Sequence, residues 1–208
     1  MTKKSAGYSE TALKKMLKAY HCPLGFHEVR MRFVGHLIAP EPGVSPLEAI
    51  QGLWDGKLPE VDHVDDLNHI FELLMAGLWN ELAGQVRMRR EKVRLSPPPA
   101  GKGFKALGRG ALFRAQELQR FEEGLLGDAD FVDIPQPAAQ GMRTLGDMIG
   151  LFASVHNTIK SGMPGTDEDV KALLANMTDL TNIAETELNT VIDAWLAHLP
   201  DKDNSTLH

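Results

Sequence analysis

Four residues near the start of the chain, His21, Cys22, His27 and His36, carry the ring nitrogens and thiol that zinc chemistry uses. A structural zinc site takes about four N or S ligands in a tetrahedron, usually as two close-spaced pairs. Here His21 and Cys22 are sequence neighbours, which seldom hold one ion together. His27 and His36 are nine residues apart, about two and a half helical turns, so their rings face different ways. Structural histidines are the expectation, with a metal or enzyme site in this region as the third reading of the chain. Glu60-Val-Asp-His63 has the Glu-x-x-His spacing of di-iron bundles, which need two such pairs plus further glutamates. The chain holds one such pair, beside Pro59, and no His-Asp dipeptide of the metal-dependent phosphohydrolase kind.

Ala100-Gly-Lys-Gly-Phe-Lys105 and Leu107-Gly-Arg-Gly110 imitate phosphate loops. A P-loop needs a hydroxyl residue after its lysine and a strand before its glycines, and neither is present. No Gly-x-Ser-x-Gly elbow occurs, and Cys22 has no evident orienting partner beyond adjacent His21, so nothing marks an activated nucleophile. The sequence assigns no catalytic, cofactor-binding or metal-ligating residue. What stands out is charge: residues 87–109 carry eight cations against Glu91 alone. Arg87, Arg89, Arg90, Arg94, Lys102 and Lys105 are therefore the candidate contacts for nucleic acid or another phosphate ligand. Aromatic interleaving is poor, with Phe104 the one ring between 80 and 112. A solvated basic face is the competing reading.

The elements that must position these residues are helical. Ser9 caps a helix over 9–20 in which Leu13, Met16, Leu17 and Tyr20 recur at helical spacing,. A second runs over 24–38 and stops at Pro40. Ser45-Pro-Leu-Glu48 is a capping box with proline at the first helical position,, so a short helix runs from Pro46 to about Trp54 and closes at Asp55-Gly56. Leu67, Ile70, Phe71, Leu74, Leu78 and Leu82 form one stripe of a longer core helix,. Trp54 and Trp79 are expected to pack where these two helices meet, with Gly52 and Gly77 allowing close approach. Ser96 to Gly103 holds three prolines and two glycines and reads as a linker or exposed loop. Helices resume over 104–126, 138–160 and from a Thr166 cap to Pro200.

The fold class is thus all-α: a multi-helix bundle of two helical halves, 9–95 and 104–200, joined by the Pro/Gly-rich basic loop. The whole chain is read as a single domain with a polar tail at 201–208. Its 208 residues with 43% hydrophobic and 24% charged content exclude fibrous and wholly disordered classes. One cysteine excludes a disulfide framework. A net charge of −6 argues against a wholly basic nucleic-acid binder. No apolar stretch approaches the roughly 18 residues of a membrane span, and no signal-peptide core follows the first lysines. The expectation is a cytoplasmic protein without a membrane partner.

Residues 33–84 carry a resemblance. Phe33-Val-Gly-His-Leu-Ile-Ala-Pro40, Val44-Ser-Pro-Leu-Glu48, Gly52-Leu-Trp-Asp-Gly56 and Leu73-Leu-Met-Ala-Gly-Leu-Trp-Asn-Glu-Leu-Ala83 resemble the helical domain of the bacterial YecA/YgfB family. That domain has a Gly-Phe-Leu-Thr-Ala-type helix, a proline turn before a short Trp-bearing helix, and a later Asn-Glu-Ile-Ala-like stretch. Leu118-Gln-Arg-Phe-Glu-Glu-Gly-Leu-Leu126 is similar to its Phe-Leu-Arg-Gly-Phe segment. Many members end in a Cys/His-rich metal module, whereas this chain ends in Asp201-Lys-Asp-Asn-Ser-Thr-Leu-His208. The resemblance therefore implies a bacterial, cytoplasmic, all-α protein and carries over no metal site and no catalytic residue. The leading expectation is a non-catalytic interaction module that forms a homo-oligomer or binds another protein, through apolar surface on glycine-rich helices such as 104–127. No cofactor is assigned.

Overall fold

The computed structural model describes residues 9–39, 43–88, 91–127, 134–162 and 166–198. Among them the fold is all-α, seven helical rods packed on one another with no strand. In chain order these are α1 (Glu10–Ala19), α2 (Phe26–Ile38), α3 (Pro46–Gln51) with a 3-10 turn at Gly52–Trp54, and a long rod. The rod is α4 (Val64–Phe71), a π-helical segment (Glu72–Trp79) and α5 (Asn80–Arg87) without a break. Then come α6 (Gly103–Leu126), α7 (Gln136–Lys160) and α8 (Asp167–His198). No described helix is long and apolar enough to cross a membrane.

The caps read from the sequence are in place. Ser9 Oγ accepts from the Ala12 N–H. Ser45 Oγ accepts from the Glu48 N–H while Glu48 returns a carboxylate to the Ser45 N–H, and Thr166 and Asp169 exchange the same pair of bonds. Each arrangement satisfies amide donors that a helix start leaves unpaired. The short helix ends three residues sooner than the periodicity predicts. Its last turn tightens into 3-10 geometry and then breaks through Asp55 and Gly56, both at positive φ.

Two helices organise the core. α2 is buried on nearly every side, from Phe26 and Val29 through Phe33 and Leu37 to Ile38, and it packs most extensively on α6. Their crossing is made by glycines. A Cβ on Gly35 would fall on the Phe121 carbonyl and 2.6 Å from the Leu125 nitrogen; one on Gly124 would fall on the Arg32 carbonyl. The two backbones therefore touch directly. α7 runs antiparallel to α6, with His156 reaching the Gly108 carbonyl at one end and Gly146 beside Glu122 at the other. It is antiparallel to α8 as well, since Gly141 meets Val191 and Glu187. One buried cluster runs from Leu13 to Trp195 and draws on both halves of the chain.

Three expectations need correction. Trp79 packs edge-on against Phe33 of α2, with ring centroids 5.2 Å apart. Trp54 instead donates its indole N–H to the Tyr20 carbonyl at the end of α1, so the two rings do not share one junction. Gly52 meets Arg32 at an ordinary 3.5 Å, whereas direct backbone contact is made at Gly35 and Gly124. Finally, α6 is no free apolar face: Leu107, Ala111, Leu118, Phe121 and Leu125 are buried. Leu112 is its one large apolar side chain among the exposed described residues. The tail at 201–208 lies outside the described residues.

Candidate functional site

Between α5 and α6, residues 93–96 form a clamped strap, and residues 97–102 that follow are the exposed loop the sequence predicts. Val93 and Leu95 point inward while Lys92 and Arg94 are exposed, the period-two alternation of an extended chain. No strand among the described residues pairs with it; side chains do. Asn189 of α8 accepts from the Val93 N–H and donates to the Val93 carbonyl, both at 2.9 Å. Glu185 accepts from the Leu95 N–H at 3.0 Å and from Arg94 Nη1 at 2.8 Å. Glu117 of α6 accepts from the Ser96 N–H at 2.8 Å. Arg30 of α2 donates to the Arg94 carbonyl at 2.7 Å. Buried backbone groups need partners, and here α2, α6 and α8 supply them.

Behind the strap Glu117 is fully buried and paired with Arg114, one turn earlier on α6 and 5% exposed. Burial pushes the Glu117 carboxyl upward, and the Arg114 guanidinium and the Ser96 N–H hold it back. Arg114 Nε also donates to Thr181 Oγ1 at 3.3 Å. A buried pair of this kind is costly to break from one side, because it strands the other charge.

The strap separates two hollows, and Pro99 lines both. The first, about 590 Å³, lies against α1 and α2 and is ringed by Lys14, Arg30, Arg94 and Ser96, with Glu10 the one acidic residue in its lining. Its floor is the His27 ring stacked on Phe113 at 3.7 Å between centroids. Burial lowers the His27 pKa, and Arg114 and Lys14 add to that against the pull of Glu28. The ring therefore stays neutral at physiological pH, and its buried Nε2 has no hydrogen-bond partner among the described residues. Lys14 pairs with Glu10 at 2.6 Å, and Arg94 pairs with Glu185, but the cation side chains are 57% and 74% exposed. The Lys14–Glu10 pair, exposed on both sides, holds its cation weakly,, whereas Glu185 is only 15% exposed. The second hollow, about 440 Å³, lies between α6 and α8 under Pro98–Gly101 and is mainly apolar, with Arg114 as the charged side chain among its lining residues.

The basic residues singled out by sequence scatter over this framework. Arg94 lines the first hollow. Arg87 Nε donates to the Leu37 carbonyl and so serves the end of α2. Lys102 and Lys105 are exposed around the first turn of α6. Arg89 and Arg90 lie outside the described residues. The four N-terminal candidates also have different surroundings. His21 is exposed at positive φ after α1, and Cys22 Sγ lies 3.7 Å from the Leu53 carbonyl with its pKa raised by burial. His36 is buried near Gly124, its pKa pushed down to about 4 by burial and by Arg32. Among the described residues no three His, Cys, Asp or Glu side chains converge to hold a metal.

Lys14, Arg30, Phe113 and Arg114 were not singled out by the sequence reading. For Arg114 the signal available was the Arg114-x-x-Glu117 spacing on an otherwise apolar helix face. Comparison with protein-family models, with curated proteins and with solved structures finds no match to this chain.

Proposed function

We propose that this protein is a helical binding module that takes an organic phosphate in the strap-side basic hollow. The observation that supports it is that Lys14, Arg30 and Arg94, from three separate segments, line one hollow with the flat His27–Phe113 stack beneath them. A phosphate dianion would draw Lys14 from the exposed Glu10, because charge-assisted bonds to phosphate are stronger than surface ion pairs, and would meet the exposed side of Arg94 while Glu185 keeps its bond. The neutral histidine and the phenylalanine ring offer the apolar face an organic group needs. Calorimetric titration with adenosine monophosphate at low salt tests this. Binding should weaken with added salt and fall at least tenfold in Arg94→Gln and in Lys14→Gln. Absence of binding by the wild type, or wild-type affinity in either variant, refutes the reading.

Self-association is a second reading, for which Leu174 of α8, 49% exposed, is the supporting observation. Light scattering across a concentration series separates dimer from monomer mass. Kinship with the YecA/YgfB helical domain belongs to the same proposal, together with bacterial origin and a cytoplasmic location. Its support is that the resembling residues Phe33, Leu37, Leu74, Leu78 and Trp79 are core residues here.

A further inference from the structure

The second hollow is a site of another character. Along α6 it is lined by Gly103, Ala106, Leu107, Gly110 and Arg114, and along α8 by positions from Leu174 to Asn182. The α6 positions recur at i, i+3, i+4, i+7 and i+11, one face of a helix. At 1.5 Å per residue this face is about 16 Å long, so the hollow is a groove. α6 and α8 are both antiparallel to α7 and so run the same way, with Arg114 bonded to Thr181. The groove is therefore polarised. Arg114, Thr181 and Asn182 lie at one end; Ala106, Leu107, Leu174 and Met177 lie toward the other.

We infer that this groove binds a monocarboxylic acid with an extended apolar chain. Arg114 supports the charged end. Its Nε is used by Thr181 and its Nη1 by Glu117, which leaves Nη2 without a hydrogen bond to a described residue. A guanidinium carries five donor N–H groups, so Thr181 and Glu117 can hold the group in place while Nη2 donates to the ligand carboxylate. The volume and the mix of many apolar with few polar lining groups are those of a small-molecule site. The wall is kept open by Gly110, where an added Cβ would meet nothing nearer than Pro98 at 3.6 Å. A longer side chain at that position enters the space the acyl chain would fill.

The test is calorimetry of the full chain with sodium decanoate below its micellar range, with decanol and decyltrimethylammonium as comparators. Decanoate should bind at least tenfold more tightly than decanol, and the ammonium not at all. Gly110→Leu should abolish decanoate binding. Leu174→Glu, placed at a half-exposed rim position that tolerates a polar residue, should do the same while leaving the circular dichroism spectrum unchanged. Replacing the pair together, Arg114→Leu with Glu117→Leu, should bring decanoate down to the affinity of decanol. Equal binding of decanoate and decanol by the wild type overturns the assignment of Arg114. Undiminished decanoate binding in Leu174→Glu, or no binding by the wild type, overturns the site. Because adenosine monophosphate occupies the other side of the strap, Leu174→Glu should leave its titration unaltered, and loss of one ligand does not entail loss of the other.

Discussion

The α2–α6 crossing makes the sharpest demand on the sequence, and Gly124→Ala tests it. The added methyl falls on the Arg32 carbonyl oxygen and 3.0 Å from its carbonyl carbon, and both are backbone atoms that no rotamer change can move aside. The helices must part by roughly 1 Å, a gap that forfeits a quarter to a half of each dispersion contact across it. Phe121 and Leu125 on α6 and Leu37 on α2, each at most 1% exposed, sit beside the crossing. Overpacking of this kind costs about 3 kcal/mol at the upper end of the usual range. The gain in helix propensity returns about 1 kcal/mol, so the net loss is about 2 kcal/mol. The same substitution at Gly150 of α7 meets nothing within 4 Å and should stabilise by about 1 kcal/mol from propensity alone. Urea unfolding followed both by far-UV circular dichroism and by the fluorescence of Trp54, Trp79 and Trp195 measures both variants, and coincident transitions justify a two-state treatment. A Gly124→Ala variant as stable as wild type, or shifts of the same sign at the two positions, would refute direct backbone contact between α2 and α6.

Asn189→Ala removes both partners of the Val93 peptide groups and should destabilise by about 2 kcal/mol. Hydrogen exchange should speed up across 92–96 before it changes in α2, and unchanged protection there would show that the strap does not depend on Asn189. The Glu122 carboxyl is pushed up to about 7 by burial, with Glu123 adding to it. Its folded pKa lies above the unfolded one, so the folded state binds the extra proton and loses stability as pH rises from 4.5 through 7. Glu122→Gln should therefore gain about 1 kcal/mol over wild type at pH 8, after discounting for partial exposure, and nothing at pH 4.5. His36 works in the opposite sense: its pKa is lowered to about 4, so the stability it carries is present above pH 6.5 and lost as pH falls toward 4. In Glu122→Gln this slope should stand unopposed, and an advantage for the variant that does not vary with pH would contradict the assignment.

Much of the scaffold was legible because helix signals are local. Ser45 and Glu48 lie within one turn, and their reciprocal bonds need no knowledge of the rest of the chain. The same holds for Thr166 and for the stop at Gly127, which takes the positive φ that ends α6. The α2–α6 contact was not legible, since neither Gly35 nor Gly124 has a distinctive neighbourhood and the meaning of each depends on the other, 89 positions away. The site was half legible for the same reason. Charge density pointed at residues 87–109 and so found Arg94. Lys14 stands among the lysines of α1 and Arg30 on the largely buried α2, and their convergence is a property of the packing. The strap was hidden by its brevity: Val93 and Leu95 are only two inward positions, and the strand partner a reader would look for is replaced by side chains of Asn189, Glu185 and Glu117.

The long rod from Val64 to Arg87 shows a signal of the opposite kind, present in the sequence at full strength and easily taken for something else. Ile70, Leu74, Leu78, Leu82 and Val86 are all buried, at most 2% exposed, and they are spaced by four throughout. In an α-helix four residues advance about 40° past a full turn, so after four such steps the last side chain would point nearly opposite to the first. A stripe of that period cannot stay on one face of a straight α-helix. The π-helical segment Glu72–Trp79 resolves the conflict: its i→i+5 bonding winds more residues into each turn and turns the drift back. Burial of these five side chains is worth more than the poorer hydrogen-bond geometry of a π-turn costs, because each brings on the order of 2 kcal/mol of apolar transfer. The winding of the backbone is thus dictated by side-chain period. The same segment places Trp79 beside Leu78 on the buried face, where it meets Phe33 and fixes the rod against α2.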